Sequence, residues 1–434
     1  MQSEERAPLD GEARAALQRR TLRVLSAGQV VGAAALTAAV TVGAFVIQNM
    51  LGKNTPWSGL ATATVTTGTA FMAQALSRVM QRRGRRVGLQ RGYAMAAVGG
   101  VVAAVAVEID SLPLFLAGLF LYGNGQAANL LTRYAATDLA EPDERSRAMS
   151  RIVFASTFGA VLGPLLIGPA ERAGQSWFGF EKYTGPWVFG ASIFLAALVN
   201  TAVRLRPDPL QFATTSADPT DAPSTIRVAA AINAIRRSPG GRLALTAMVV
   251  SQATMVAVMT MTPVHLKLHG HEGVSTIVVS THIAGMYAFS PLVGRFSDRR
   301  GRLPTIVVGS ALLVASTALA ALSGDVEQLL FPALWTLGLG WNFGLIGGSS
   351  LLVDSVRPAE RVAVQGMADL SMSLCGGIAG FSSGFIRRAV GFHMLANFAT
   401  VAAGLLFVIA YTARRRAHAE TAAEGRRRGA FTKA

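Results

Sequence analysis

Two ionisable side chains stand inside runs otherwise free of charge: Asp369, flanked by Met367, Ala368 and Leu370, and His282, flanked by Val278, Val279 and Ile283. A charge held in such a run is costly, so each is a candidate to carry a proton or to meet a charge on a solute. The plainer alternatives are an ion pair for Asp369 and a single hydrogen bond from a neutral imidazole for His282. Polar residues also recur at helical spacing. Tyr122, Gln126, Asn129 and Arg133 are separated by four, three and four residues, and Met248, Gln252, Met255, Met259 and Thr262 lie on one face in the same way. Gln29, Thr37, Thr41 and Gln48 form a thinner series, as do Trp335, Asn342 and Ser349. Such side chains either line a cavity or tie helices together. His265, His269 and His271 invite a metal, but Gly270 between them and the lack of nearby Asp or Cys favour a loop. No metal and no cofactor is expected.

Two further patterns concern the backbone. Residues 294–302 read Gly294, Arg295, Phe296, Ser297, Asp298, Arg299, Arg300, Gly301, Arg302. Gly294 permits close helix packing, Gly301 permits a tight turn, and Asp298 can accept from a helix N-terminus while pairing with Arg. Such a loop can act as a latch. A partial copy holds Ser77, Gln81, Arg82, Arg83, Gly84, Arg85 and Arg86. Further on, Gly159, Gly163, Pro164 and Gly168 combine small residues with a proline that removes a helical hydrogen bond, a face for close packing and a bend. Gly52, Lys53 and Asn54 lack the Walker spacing, so no ATP site is expected. Neither a nucleophile elbow nor paired catalytic carboxylates occur, and the chain is not expected to be an enzyme.

The elements that hold these residues follow from composition. Among 434 residues 51% are hydrophobic and only 15% charged, against about 25% for soluble domains. Mean hydropathy is +0.41. The apolar residues come in blocks of the length that spans a bilayer. Spans are predicted near 24–49, 58–80, 87–107, 113–133, 147–170, 186–204, 243–266, 274–295, 304–322, 329–353, 362–386 and 392–413. The single cysteine, Cys375, excludes a disulfide framework. The net charge of +16 comes from Arg clustered between spans, which fits the positive-inside rule better than nucleic-acid binding. With both termini inside, the outer loops hold only Lys53, Arg172, Lys182, Lys267, Arg387 and Arg388, which leaves 34 of 40 basic residues on the cytoplasmic side. Residues 1–23 read as an uncleaved cytoplasmic tail, 205–242 as a cytoplasmic linker and 414–434 as a basic tail. Within the linker, Pro207 to Pro223 is predicted to be extended. Val228, Ile232 and Ile235 then mark a short amphipathic helix that either lies on the membrane or simply connects.

An internal repeat divides the chain at the linker. A shift of 216 places Asp138 on Asp354, Pro142 on Pro358, Glu144 on Glu360, Arg145 on Arg361 and Gly168 on Gly384, and a shift of 217 places Arg82 to Arg85 on Arg299 to Arg302. Six spans per half make parallel repeats, residues 24–204 and 243–413.

The twelve spans, the repeat and the loop signature resemble the major facilitator superfamily of secondary transporters, from about residue 22 to 413. The resemblance implies an all-α membrane protein of two six-helix bundles. It also implies that spans 1, 4, 7 and 10 line the central cavity and that Asp298 steadies one of two alternating states. The first copy departs from the family pattern, with Gln81 where Asp is usual and Ser77 where Gly is usual, so the latches should be unequal. The fifth-span pattern resembles the motif of drug and proton exchangers, with Ile167 replacing one Gly. The mid-membrane Arg of the family's fourth span is missing, because Arg133 lies about 30 Å along the helix from Pro113 and belongs at the cytoplasmic edge. The cavity so described offers amides, hydroxyls and Met without a fixed central charge, which suits a fairly apolar organic solute. The expected protein is a monomeric, proton-coupled exporter in a bacterial inner membrane, with proton-coupled uptake as the alternative.

Overall fold

The computed structural model describes residues 10–51, 57, 60–212, 228–268, 272–323 and 327–431, and these form helices and short connections. The first half contains α1 (Gly11–Leu51), α2 (Leu60–Arg83), α3 (Arg85–Glu108), α4 (Leu112–Ala135), α5 (Arg145–Phe178) and α6 (Thr184–Arg204). A short α7 (Val228–Arg237) precedes the second half: α8 (Pro239–Leu268), α9 (Glu272–Tyr287), α10 (Ser290–Arg300), α11 (Arg302–Leu322), α12 (Leu330–Asp354) and α13 (Arg361–Phe431). The eighth span is α9 followed by α10, interrupted at Ala288 and Phe289. The eleventh and twelfth are the two parts of α13 on either side of Gly391, where a φ of 87° redirects the chain. Each half thus has six spans.

Seven stretches are long and apolar enough to cross a membrane among the described residues, including one that runs through both parts of α13. Helices α2 and α4 fall short of that apolarity because they carry Thr, Gln and Asn among their apolar residues. In lipid there is no hydrophobic force between helices, so packing has to come from close backbone approach and polar ties. A Cβ at Gly68 would lie 2.1 Å from the Phe120 carbonyl oxygen, so α2 meets α4 backbone to backbone. The first-half core is aromatic: Tyr122 meets Trp187 and Phe194 edge-on at 5.6 and 4.9 Å. The second relies on Met248, Met255, Leu313, Leu334 and Met372.

Both loop motifs, the start of α1 and the end of α13 lie at one end of the bundle, called here the motif end. There α2 packs on α13 and α5 on α10, which joins the halves. Gly84 and Gly301 make the equivalent turns, with φ of 90° and 95°, values that favour glycine.

The helices at both ends of the chain run past their expected spans. The first helix begins at Gly11, because Arg14 Nε and Gln18 Nε2 donate to the carbonyls of Leu139 and Ala136 and dock an extra helical stretch on the segment after α4. The last helix continues to Phe431. In α7, Ala231, Ala234 and Ile235 are buried against the second-half core and Arg237 pairs with Glu360 at 3.3 Å. Its apolar side therefore rests on protein, as a connector's does. Most of the stretch expected to be extended, residues 213–223, lies outside the described residues, as do His269, His271 and Lys53.

Candidate functional site

The fourth span ends in a turn that carries Leu130, Arg133 and Tyr134, and α13 carries Asp369 two turns from its start. What brings them together is Gly366. A Cβ there would sit 2.1 Å from Ser77 Oγ, so its absence lets α13 close on α2. One turn further, Asp369 then reaches across the two halves and pairs with Arg133; both side chains are buried. Arg133 Nη1 also donates to the Leu130 carbonyl at 2.7 Å, Nη2 to the Tyr134 hydroxyl at 3.1 Å and Nε to Ser349 Oγ at 3.2 Å. The guanidinium lies 4.4 Å from the Tyr134 ring centre. Asp369 Oδ1 is taken by Arg133, whereas Oδ2 has no hydrogen-bond partner among the described residues. This corrects the expectation for Arg133. It is near the end of α4, as its spacing requires, yet it is enclosed between the halves rather than left at an edge. A fixed charge pair therefore stands where none was expected.

The loop motifs flank this pair. Asp298 Oδ1 and Oδ2 accept from the backbone N–H groups of Ser146 and Arg147 at 3.1 and 2.8 Å, in the first turn of α5. Among the described residues no side chain of α5's own half caps that helix, so the second half supplies the carboxylate its positive end attracts. Arg302 holds Asp298 at 2.7 Å and Asp354 at 3.0 Å, and Asp354 meets Arg145 of the other half at 2.6 Å. Gly294 fits against Ser150, whose Oγ would be 2.3 Å from an added Cβ. In the first copy, Arg85 forms a two-pronged pair with Asp138 at 2.8 and 2.9 Å and donates to Gln365 Oε1 at 3.0 Å. Burial pushes the Asp138 carboxyl above the usual range, while the Arg85 guanidinium pulls it back down. Asp208, at the start of the linker, caps α3 through the N–H groups of Arg85 and Arg86 at 3.2 and 2.8 Å. Gly84 admits that carboxylate, since a Cβ there would meet its oxygen at 2.3 Å. Among the described residues Gln81 reaches only the Ala359 carbonyl, at 3.4 Å. Arg82 and Arg299 are exposed. Sequence inspection passed over Asp208 and Gln365. The Arg85–Asp138 pair was signalled by the repeat, which places those residues on Arg302 and Asp354.

The remaining candidates divide. Tyr122 is enclosed beside Gly190 and donates to the Ala35 carbonyl at 3.0 Å, and Asn129 accepts from Tyr93 at 3.2 Å; both tie helices within the first half. Gln29 donates to Ser156 at 2.9 Å, between α1 and α5. Asn342 exchanges hydrogen bonds with Ser290, and His282 Nδ1 donates to the Leu334 carbonyl at 2.8 Å, both inside the second half. His265 stacks on Phe392 at 4.4 Å, and no metal-binding group of side chains occurs among the described residues. Gln126, Gln252 and Trp335 are half-buried, and Met255 belongs to the second-half core. In α5, Gly159 packs against α1, where a Cβ would lie 2.4 Å from the Val30 carbonyl oxygen; Gly163 is buried and Gly168 exposed. The side chains of Thr37, Thr41 and Pro164 lie outside the described residues.

The family model described as Major Facilitator Superfamily matches residues 25–281 and 243–433. The chain is 40% identical over 377 residues to the uncharacterized MFS-type transporter YdeG of Bacillus subtilis (strain 168), covering 86% of this chain and 87% of the relative. It is 28% identical over 379 residues to the riboflavin transporter RfnT of Brucella anthropi, covering 87% and 91%. Among solved structures, that of the human organic anion transporter MFSD10 (TETRAN) superposes with a TM-score of 0.69 at 16% identity, over 91% of this chain and 99% of the other.

Proposed function

The chain belongs to the Major Facilitator Superfamily, a family of multi-pass membrane transporters rather than enzymes, and from that premise we propose that it exports a small, fairly apolar organic solute in exchange for protons. The motif end faces the cytoplasm of an inner membrane, with both termini on that side, because the loops at that end hold most of the basic residues. One chain carries both halves and works as a monomer by alternating access. A riboflavin transporter among its relatives is in keeping with an organic solute.

The observation that carries the coupling is the buried Arg133–Asp369 pair across the halves, with one carboxylate oxygen left without a partner among the described residues. With Asp369 ionised, the pair holds the cytoplasmic end shut and the cleft opens outward. A proton from outside neutralises Asp369, and Arg133 loses the charge it was paired with. The cytoplasmic tie loosens, the halves rock, and solute enters from inside as the proton leaves. Ionised Asp369 then pairs with Arg133 again and closes that side behind the solute. A ligand or proton shifts such an equilibrium only by its difference in affinity for the two states, and a buried charge pair made in one state alone supplies a large difference. The fifth-span packing of Gly159 on α1 fits the exchanger motif it resembles.

The test is transport in proteoliposomes under an imposed pH gradient, using solutes chosen by ligand-induced thermal stabilisation. Accumulation against the direction of proton flow supports export. Accumulation with proton flow would replace export by uptake, and indifference to the gradient would remove coupling.

A further inference from the structure

A second polar arrangement lies away from the charge pair, in the second half, where α8, α12 and the break between α9 and α10 meet. Trp341 Nε1 donates to Gln252 Oε1 at 2.7 Å. An indole N–H can only donate, so the oxygen of the Gln252 amide must face it, and the orientation of that amide is fixed. Its two N–H donors have no hydrogen-bond partner among the described residues, and Gln252 is half-buried rather than sealed. Tyr287, the last residue of α9, meets Trp341 edge-on at 5.9 Å, and Phe289 in the break meets Trp335 edge-on at 5.5 Å. Tyr287 and Phe289 are also half-buried. Breaks in membrane helices near mid-span are places where secondary transporters commonly build their cargo sites.

The opposite half offers a matching group. Along α4 nearly every residue from Tyr122 to Ala135 is buried except Gln126 and Leu130. Leu130 packs against the second-half core, so Gln126, one turn away, is on the side turned toward that half. It too has no hydrogen-bond partner among the described residues.

We propose that the transported solute is a planar aromatic or heteroaromatic molecule with a ring carbonyl, its ring against Tyr287 and its carbonyl oxygen on an amide N–H of Gln252, with Gln126 closing from the other half. This rests on the transporter reading and adds the chemical class of its cargo. The two amides explain the choice. A solute without an acceptor leaves the fixed donors of Gln252 unpaired once the cleft closes, and a site built to hydrogen-bond rejects such a solute strongly. A flexible polyol has acceptors but no flat face to set against Tyr287 and Phe289. Trp341 is a positioning residue, acting through Gln252.

Equilibrium binding to the purified full-length protein, without any gradient, tests this independently of coupling and direction. Riboflavin and lumichrome serve as planar carbonyl-bearing probes, read by the quenching of their own fluorescence, and ribitol serves as the polyol control, read by calorimetry. Wild type should bind both ring probes and not ribitol. Gln252→Leu and Tyr287→Ala should each weaken binding about tenfold or more, while Tyr287→Phe stays within about twofold, each measured well below that variant's own melting temperature. Trp341→Phe, which frees the amide to turn, should weaken ring probes that carry carbonyls. If neither ring probe binds, if ribitol binds as well as they do, or if Gln252→Leu binds like wild type, the assignment of solute class is wrong. Such a result leaves gradient-driven transport of another solute unaffected.

Discussion

The two places where the halves meet at the motif end are related by the internal repeat, yet they are built from different forces. On the α5–α10 side, Gly294 lies against Ser150 and Asp298 caps α5. On the α2–α13 side the small residues are exchanged, with Ser77 against Gly366, so the departure of Ser77 from the family pattern is matched across the contact. The capping carboxylate is not replaced in kind, since Gln81 makes one long hydrogen bond to Ala359. Instead the charge has moved inward: Arg133 and Asp369 fall opposite Ser349 and Val153 under the repeat, positions that hold no charge. One contact is thus a helix-terminus latch at the rim, and the other is a buried charge pair, which in the proposed cycle a single proton dissolves. Two identical latches would hold or release together. Under the proposed exchange cycle, an unequal pair lets one contact act as a hinge while the other responds to protons.

The hardest way to break this difference is at the buried pair. Asp369→Asn should abolish gradient-driven accumulation while leaving a folded protein that still exchanges solute down its own gradient, measured in proteoliposomes. Arg133→Ala should cost more stability, about 3–5 kcal/mol, because it leaves an uncompensated buried carboxylate. Adding Asp369→Asn to Arg133→Ala should recover much of that loss in a thermal melt. A single variant at Arg133 with wild-type melting and coupling would remove the pair from the mechanism.

How far the sequence anticipated this varies with the physics involved. The spans, the repeat and the Asp298 loop were legible because apolar length, charge placement and Gly spacing are local properties. Asp369 stood out as a lone acid in an apolar run. Its partner did not, because Arg133 is at the end of its span and helix length alone cannot show that another helix covers it. The fourth-span stripe misled in the same way. Tyr122 and Asn129 share a face with Gln126 and Arg133 by spacing, but the width of that face is divided between neighbours in the first half and the opposite half. His282 was flagged by rarity alone and is held by the Leu334 carbonyl.

The exchanged small residues give the next largest effect. Gly366→Ala places a methyl group 2.1 Å from Ser77 Oγ and 3.1 Å from the Ala73 carbonyl oxygen, so α13 must back away from α2. A cost of about 1–3 kcal/mol is expected for such overpacking, with weaker transport as Asp369 is drawn from Arg133. Combining it with Ser77→Gly should restore more than about half of the loss, a coupling that thermal melts of the four variants can measure. Strict additivity would mean that the two residues do not share a contact.

Asp298→Asn tests the rim latch. The amide keeps an acceptor for α5 but loses the charge that the helix terminus and Arg302 both favour, an effect of about 1–2 kcal/mol. That shifts the populations of the two states by roughly tenfold toward the one open at the motif end. Labels on α5 and α10 should report a longer mean separation by double electron–electron resonance, and transport should fall several-fold. An unchanged distance distribution would leave Asp298 as a local cap only.

The smallest effect belongs to Gln81, and it separates the two contacts most sharply. Its side chain makes a 3.4 Å hydrogen bond to the Ala359 carbonyl in a solvent-accessible position, so Gln81→Ala should change stability by less than about 0.5 kcal/mol and leave transport near wild type. Gln81→Asp is the informative change. A carboxylate at this position stands before the first turn of α13, as Asp298 stands before that of α5, and it should cap that helix and add a second charged latch. Closure on the α2–α13 side would then no longer depend on Asp369 alone, so transport should slow and the closed state should gain population in the same resonance measurement. If Gln81→Ala damages transport as much as Asp298→Asn at matched expression, the two contacts are equivalent and the division between rim latch and buried pair fails.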